Sequence, residues 1–385
     1  MIPKCELVAK EEKGVSLKTG IIGGFVLEVR ISSMEPGEIQ ITFGNRILEK
    51  SLIKEGTSPE MVLIVPLLGL PSSCNLAVSL NGKIGMKRIA DIKIERPRLA
   101  PYEDSFRVRP LMVTSVGRSG STFLMQLLGA HPEIAVHLKY PMEATIARKR
   151  FLHVVAQVPI IFQKYAEAKA LEEDESERAL ENITTFVHST ALEVSRQYLA
   201  LHHGQHGSEA VPQYYAEKNL APEWLFWEVY PDAREIFLVR DPRDMICSSL
   251  AFNQKRGRLA FGRQEVETDL EYVAHRASMA RPWVVEPWWI RAERCFLVHY
   301  EELITDTKEI LQKIFRYLGV EATPGRVRAI IEAVQVKNDI LEKHATSALP
   351  VHSIGRWRRE MLPDMIDACN REFSDFLSTF NYPLE

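Results

Sequence analysis

The chain has few cysteines. Cys5, Cys74, Cys247, Cys295 and Cys369 are odd in number and widely scattered through 385 residues. No CxxC pair and no histidine cluster at zinc-ligand spacing accompanies them, so neither a disulfide framework nor a structural metal is expected, and a reducing compartment is. Nowhere do 18 apolar residues run unbroken, and the opening MIPKCELVAKEEKG lacks the apolar core of a secretory leader. The expectation is a cytoplasmic protein with no integral membrane segment. An excess of one sign of charge is also missing: 48 Lys+Arg stand against 51 Asp+Glu, a formal net charge of −3. That balance gives no reason to expect nucleic acid or a membrane surface as partner, and any anion site must be local. What remains, 46% apolar and 26% charged residues, is the composition of a globular protein long enough for two or three domains.

Residues 1–98 carry short alternating or apolar runs: Phe25–Ile31, Glu38–Phe43, Met61–Val65 and Asn75–Leu80. Turn signals separate them, among them Gly23-Gly24, Pro36-Gly37 and Asn81-Gly82. They predict a small all-β, sandwich-like domain. Two prolines in 95–102 suit a linker, placed at 99–109. From 110 to 385 the pattern changes. Pro110–Val116 is a buried-strand run followed by a glycine-bearing turn and by Thr122–Leu128, apolar at helical spacing. Residues 141–206 read as two or three helices. Two further strands are expected over Glu235–Arg240 and Cys295–Tyr300, the first followed by Asp241-Pro242 as the start of a helix, the second by the amphipathic stretch Lys308–Leu318. Strands alternating with helices predict a three-layer α/β domain around a central parallel sheet.

The segment Val116-Gly117-Arg118-Ser119-Gly120-Ser121-Thr122-Phe123 lies between strand and helix. Small residues let successive N–H groups turn toward an anion, the helix amino terminus adds partial positive charge, and Ser121 and Thr122 offer hydroxyls, so a phosphate-binding loop is expected. The plain alternative is a tight turn feeding a helix. The loop is not GxxxxGK[ST], because Ser121 stands where that motif has lysine. The run ending in Arg240-Asp241-Pro242 also puts an arginine where a magnesium-holding carboxylate would stand alone. An anion bound without metal is the reading, and a P-loop kinase or nucleotide hydrolase is a rival.

The strand, GRSGSTF loop and helix resemble the 5'-phosphosulfate loop of sulfotransferases that use 3'-phosphoadenosine 5'-phosphosulfate (PAPS). Arg240, with Ser248 eight residues on, is similar to that family's 3'-phosphate pair. Ser353-Ile-Gly355-Arg356-Trp357-Arg358 is similar to its late loop over the 3'-phosphate and adenine, and Val298-His-Tyr-Glu-Glu-Leu-Ile to the segment before it. The resemblance spans about 108–380. It implies sulfonate transfer from PAPS to a hydroxyl, leaving 3'-phosphoadenosine 5'-phosphate (PAP). The donor would be held by Gly117, Arg118, Ser119, Gly120, Ser121, Thr122, Arg240, Ser248, Gly355, Arg356, Trp357 and Arg358. Arginine rather than lysine at 118 occurs in the glycan and protein-tyrosine branches, which favours a carbohydrate acceptor. Arg118 is assigned charge stabilisation, with ground-state phosphate binding as the alternative. By the same resemblance the general base is Glu143, with His137 second because an imidazole has a suitable pKa.

Trp224, Trp227, Trp283, Trp288 and Trp289 suit cores or sugar stacking, and Trp288-Trp289 is the pair favoured as an acceptor wall. The His202-His203-Gly204-Gln205-His206 cluster lacks the spacing of a metal site and reads as a loop, and His131 and Glu133 as the turn ending the first helix. A non-catalytic glycan-binding scaffold is the second rival.

Overall fold

The computed structural model describes residues 4–9, 15–22, 26–33, 35–44, 46–54, 60–67, 70, 73–82, 85–95, 108–138, 146–147, 150–151, 173–207, 210–218, 227, 229–230, 233–335 and 339–384. The chain divides into two compact units. One comprises Met1–Ser105, Lys149–Leu192 and Ala221–Asp232, the other Phe106–Arg148, Glu193–Leu220 and Ala233–Glu385.

The first unit contains β1 (Lys4–Ala9), β2 (Val15–Ile22), β3 (Val26–Ser33), β4 (Gly37–Phe43), β5 (Arg46–Ile53), β6 (Met61–Pro66), β7 (Ser73–Gly82) and β8 (Gly85–Glu95). They form two antiparallel sheets, in the orders β1-β8-β7-β4-β5 and β2-β3-β6. Side chains alternate as a strand requires: Leu27, Val29 and Ile31 of β3 are buried while Glu28 and Arg30 are not. They share one core with Ile39, Ile41, Leu76, Val78, Ile92 and Ile94 of the larger sheet, which makes this a sandwich.

In the second unit a parallel sheet has the order β10-β11-β9-β12-β13, from β9 (Arg109–Ser115), β10 (Ile134–Val136), β11 (Tyr214–Lys218), β12 (Arg234–Val239) and β13 (Phe296–His299). β9 is central and wholly apolar at Leu111, Met112 and Val113, as a strand covered on both faces must be. Helix α1 (Ser121–Gly129) packs Leu124, Leu127 and Leu128 into the core. Helix α2 (Glu173–His206) runs through Gly204, so the histidine cluster expected in a loop lies in a final helical turn instead. There His202 is fully buried and stacked on His206 at 4.7 Å. Helix α3 (Pro242–Arg256) starts as expected, with the Asp241 carboxylate accepting from the Arg243 N–H at 2.9 Å. Then come α4 (Asp269–Ala280), a π-helical turn (Arg281–Val285), α5 (Glu286–Arg291), α6 (Tyr300–Thr305), α7 (Thr307–Leu318), α8 (Pro324–Gln335), α9 (Asp339–His344), α10 (Trp357–Glu360), α11 (Pro363–Glu372) and α12 (Ser374–Thr379).

A buried ion pair fixes α5 to the amino-terminal end of β12. Arg291 donates to both carboxylate oxygens of the fully buried Glu235, at 2.9 and 3.0 Å. Arg291→Ala leaves that carboxylate buried without its counter-charge, held among the described residues only by the Thr114 hydroxyl and the Cys295 thiol, and a loss of about 3–5 kcal/mol in urea unfolding is expected. The double variant Glu235→Met/Arg291→Met should recover most of it, and an equally unstable double variant would refute the cause.

Candidate active site

In an open parallel sheet the crevice for a ligand lies outside the carboxyl ends of the strands, where the chain order reverses. Here the chain leaves β9 for β10 on one side and later places β12 on the other, so the crevice lies where β9 and β12 end. The loop 116–120 follows β9, and Arg240 follows β12. The loop is sharply bent: Arg118 has φ +76° and Gly120 φ +87°. A β-carbon on Gly120 would stand 2.3 Å from the Tyr300 ring, so glycine is required there twice over. The Phe123 and Leu124 N–H groups turn back to the Gly120 carbonyl, which leaves those of Ser121 and Thr122 at the start of α1 to face an anion.

Side chains from distant segments meet at this loop. Arg118 Nε donates to Ser248 Oγ at 3.1 Å and its Nη2 to the His344 carbonyl at 2.8 Å, with the guanidinium 4.3 Å from the Phe252 ring centre. Arg240 is 3% exposed. It donates to the Arg118 carbonyl at 3.1 Å and to the Ser353 carbonyl at 2.6 Å, and lies 4.4 Å over Tyr300. Its Nε is buried with no hydrogen-bond partner among the described residues. Ser248 Oγ and Arg356 Nη1 both reach Thr346 Oγ1, at 3.3 and 3.0 Å. The structure thus brings Arg118, Arg240, Ser248 and Arg356 together.

Other expected residues are placed differently. Ser119 is 1% exposed and its hydroxyl turns inward to the Val116 carbonyl at 2.7 Å, so only its backbone belongs to the loop surface. Gly117 passes close under Phe261 and its carbonyl accepts from buried Arg276 at 2.8 Å. Ser121 and Thr122 open α1. Gly355 has φ +64°; Trp357 is 3% exposed and lies between Arg243, at 4.0 Å, and Arg358, at 4.4 Å. His137 follows β10 at the carboxyl end of the sheet, half-buried, while Glu143 and Trp224 lie outside the described residues. His131 is buried, its Nε2 3.0 Å from the Glu321 carbonyl and its Nδ1 accepting from the Glu133 N–H, as a turn residue would be. The suggested Trp288-Trp289 wall is in the wrong place. Trp288 packs on Phe237 and Phe380, and α5 is tied to Glu235 at the amino-terminal end of β12, some five residues of strand, roughly 16 Å, from Arg240.

Sequence reasoning missed several residues here. Lys218, 4% exposed, and Glu217, 2% exposed, end β11 beside β9. Glu217 accepts from the Ala147 N–H at 2.9 Å and from the Tyr198 hydroxyl. His344 sits among Arg118, Lys218, Arg256 and Lys255. Burial first, and then those four cations, push its imidazole down to about 4, a mark of concentrated positive potential. Asp244, 1% exposed, is pushed up to about 6 by burial, against the pull of Arg240 and of two backbone N–H groups. Its folded pKa exceeds the ordinary 3.8, so the folded chain binds the proton first. Its ionised form therefore burdens stability above pH 6, and that burden lifts as pH falls from about 6 toward 4.

A stretch of 140 residues is 28% identical to a 3-beta-hydroxysteroid sulfotransferase of Cavia porcellus, covering 33% of this chain and 47% of that protein, so the chain spans about half the length of the curated relative it matches. Among solved structures, sulfotransferase STF9 from Mycobacterium avium aligns at 19% identity and TM-score 0.39 over 73% of this chain and 79% of its own. Mouse sulfotransferase SULT7A1, complexed with PAP, aligns at 14% identity and TM-score 0.40 over 71% and 85%. Among the described residues no helix is long and apolar enough to cross a membrane. The sulfotransferase family model matches residues 110–324, which take in the β9 loop, Arg240, Ser248 and Tyr300 and make up more than half of the chain; the protein belongs to the sulfotransferase family, enzymes of sulfonate transfer.

Proposed function

We propose that the protein transfers the sulfonate of PAPS to an acceptor hydroxyl and releases PAP. The observation that carries this reading is the pairing of Arg118 and Arg240, brought from two strand ends and joined through the Arg118 carbonyl. A donor with a 5'-phosphosulfate and a 3'-phosphate has two anionic groups to hold, and two arginines at one crevice answer both. The buried, unpartnered Nε of Arg240 fits an anion on that side. The loop Gly117–Thr122 with Arg118 holds the phosphosulfate. Arg240, Ser248 and the Gly355–Arg358 turn hold the 3'-phosphate. Bound PAPS supplies an activated sulfonate whose bridging oxygen leaves with the 5'-phosphate. The acceptor oxygen forms the new S–O bond in line, its proton passes to Glu143, or to His137 as second choice, and Arg118 stabilises the charge on the departing oxygen. Arginines rather than a metal ion meet the donor's charge. We assign transfer to residues 110–385 and treat 1–98 as a separate β domain joined through 99–109.

The acceptor we favour is a carbohydrate in the cytoplasm. Similarity to a hydroxysteroid sulfotransferase supports a steroid hydroxyl as the second reading. Release of PAP from PAPS in the presence of a glycan panel and a hydroxysteroid panel tests both. Glu143→Gln is expected to lower kcat roughly 100-fold or more with PAP affinity unchanged. Arg118→Ala should lower kcat more than donor affinity if it stabilises the leaving oxygen. Thermal stabilisation by ATP with magnesium but not by PAP would replace this reading with a P-loop kinase, and by neither with a scaffold.

A further inference from the structure

Three residues within Arg240 to Asp244 grip a turn more than a hundred positions later. Arg240 Nη2 donates to the Ser353 carbonyl at 2.6 Å, the Arg243 guanidinium lies 4.0 Å over Trp357, and the Asp244 carboxylate accepts from both the Gly355 N–H, at 2.7 Å, and the Trp357 N–H, at 3.0 Å. Asp244 is the third residue of α3, where a carboxylate ordinarily faces its own helix end. Here it reaches outward and is 1% exposed. Gly355 at φ +64° lets two N–H groups two residues apart converge on it, one on each oxygen.

We infer that Asp244 is a positioning residue: its carboxylate sets the Gly355–Arg358 turn against the first turn of α3, so that Arg240 and this turn close on the 3'-phosphate as one rigid unit. The inference deepens the PAPS reading and rests on it for the ligand, but the hydrogen bonds of Asp244 stand apart from any ligand. An ionised carboxylate accepts on both oxygens, whereas a protonated one or an amide keeps one good acceptor and turns a donor toward the other N–H. The grip is therefore pH-dependent on the local scale: the two backbone N–H groups pull the Asp244 carboxyl down against its burial, so releasing them while it stays buried raises it further, and protonation favours the released turn even as it eases the burden of burial on the whole fold. The charged groups around Asp244 are Arg240 and Asp241 before the helix and Arg243 on it. Arg356 and Glu360, from the turn and α10, face Cys247 one helical turn on.

Hydrogen exchange of the peptide spanning 353–361 tests the grip in the full chain without ligand. Protection of the Gly355 and Trp357 amides, corrected for intrinsic rates, is expected to be high at pH 7.5 and at least tenfold lower at pH 5.5. Asp244→Asn should lose it at both pH values. In calorimetric titration at pH 7.5 the same variant should bind PAP at least tenfold more weakly and adenosine 5'-phosphate, which lacks the 3'-phosphate, less than threefold more weakly. A merely structural role would weaken both nucleotides alike and give no pH step, and either result overturns the inference. Unchanged protection in Asp244→Asn also overturns it. If the variant does not fold, the pH step in the native chain decides alone. Failure of the native chain to bind PAP would sink the donor reading instead, with the exchange data still deciding what Asp244 does.

Discussion

Arg240→Ala is expected to erase the rise in melting temperature that saturating PAP gives the native chain. A ligand at a hundred times its Kd stabilises the native state by about 2.7 kcal/mol, a shift of a few degrees for a chain of this size. Arg240 is the natural residue to remove because its guanidinium has two jobs. It fixes the Arg118 and Ser353 carbonyls and leaves Nε buried and unpartnered among the described residues. Losing it frees two carbonyls as well as an anion partner, so the variant without ligand should also melt earlier, by roughly 1.5–3 kcal/mol for a charged hydrogen bond lost. Arg240→Lys separates the two effects: the charge stays while the fork that spans two carbonyls goes, so it should keep part of the PAP shift. Scanning fluorimetry with PAP is the measurement, and a full shift in the alanine variant would remove Arg240 from the donor site.

The parts of this site that could be read from the sequence are those written locally. The β9 strand, its GRSGSTF loop and α1 are contiguous, and Arg240 with Ser248 needs only one helix to be recognised. The strands β3, β4 and β7 alternate in sequence, and β6 is a short unbroken apolar run. β2 alternates half-buried Val15, Leu17 and Ile21 with exposed Ser16, Lys18 and Gly20, and β8 alternates buried Ile92 and Ile94 with Asp91, Lys93 and Glu95, so a period of two is present in both, diluted by Gly20 and by the exposed Lys87 and Arg88 that open β8. β11 was hidden because its burial contradicts its polarity: Glu217 and Lys218 are both buried, and what makes that tolerable is partners such as Tyr198 and Ala147. Asp244 was legible as the first turn of a helix, but its function depends on the N–H groups of Gly355 and Trp357, which no local pattern connects to it. His344 is the same case, since the cations around it come from three separate segments. Trp288 and Trp289 misled for the opposite reason: their chemistry suits an acceptor wall, but Arg291 and Glu235 draw their helix to the other end of the sheet.

Gly120→Ala should be among the most damaging single changes in the chain. The φ of +87° alone charges a non-glycine residue roughly 1–3 kcal/mol. The new β-carbon would also stand 2.3 and 2.6 Å from two Tyr300 ring atoms, closer than real atoms pack. The ring cannot simply step aside. Its hydroxyl is 2.9 Å from Ser353 Oγ and its face lies 4.4 Å beneath the Arg240 guanidinium, so moving it disturbs the 3'-phosphate side as well as the loop. A total of about 3–5 kcal/mol in urea unfolding is expected, with PAP binding lost together with stability. Tyr300→Ala, which empties a site only 7% exposed, should by itself cost about 3 kcal/mol or more. In the double variant the clash has no partner while the backbone strain persists, so the two losses should fall short of their sum by about 1–2 kcal/mol. Strict additivity would show that the loop and the ring do not press on each other. A shortfall would locate the rigidity of the phosphate loop in the contact between a glycine that cannot be replaced and a tyrosine held from above by the second arginine.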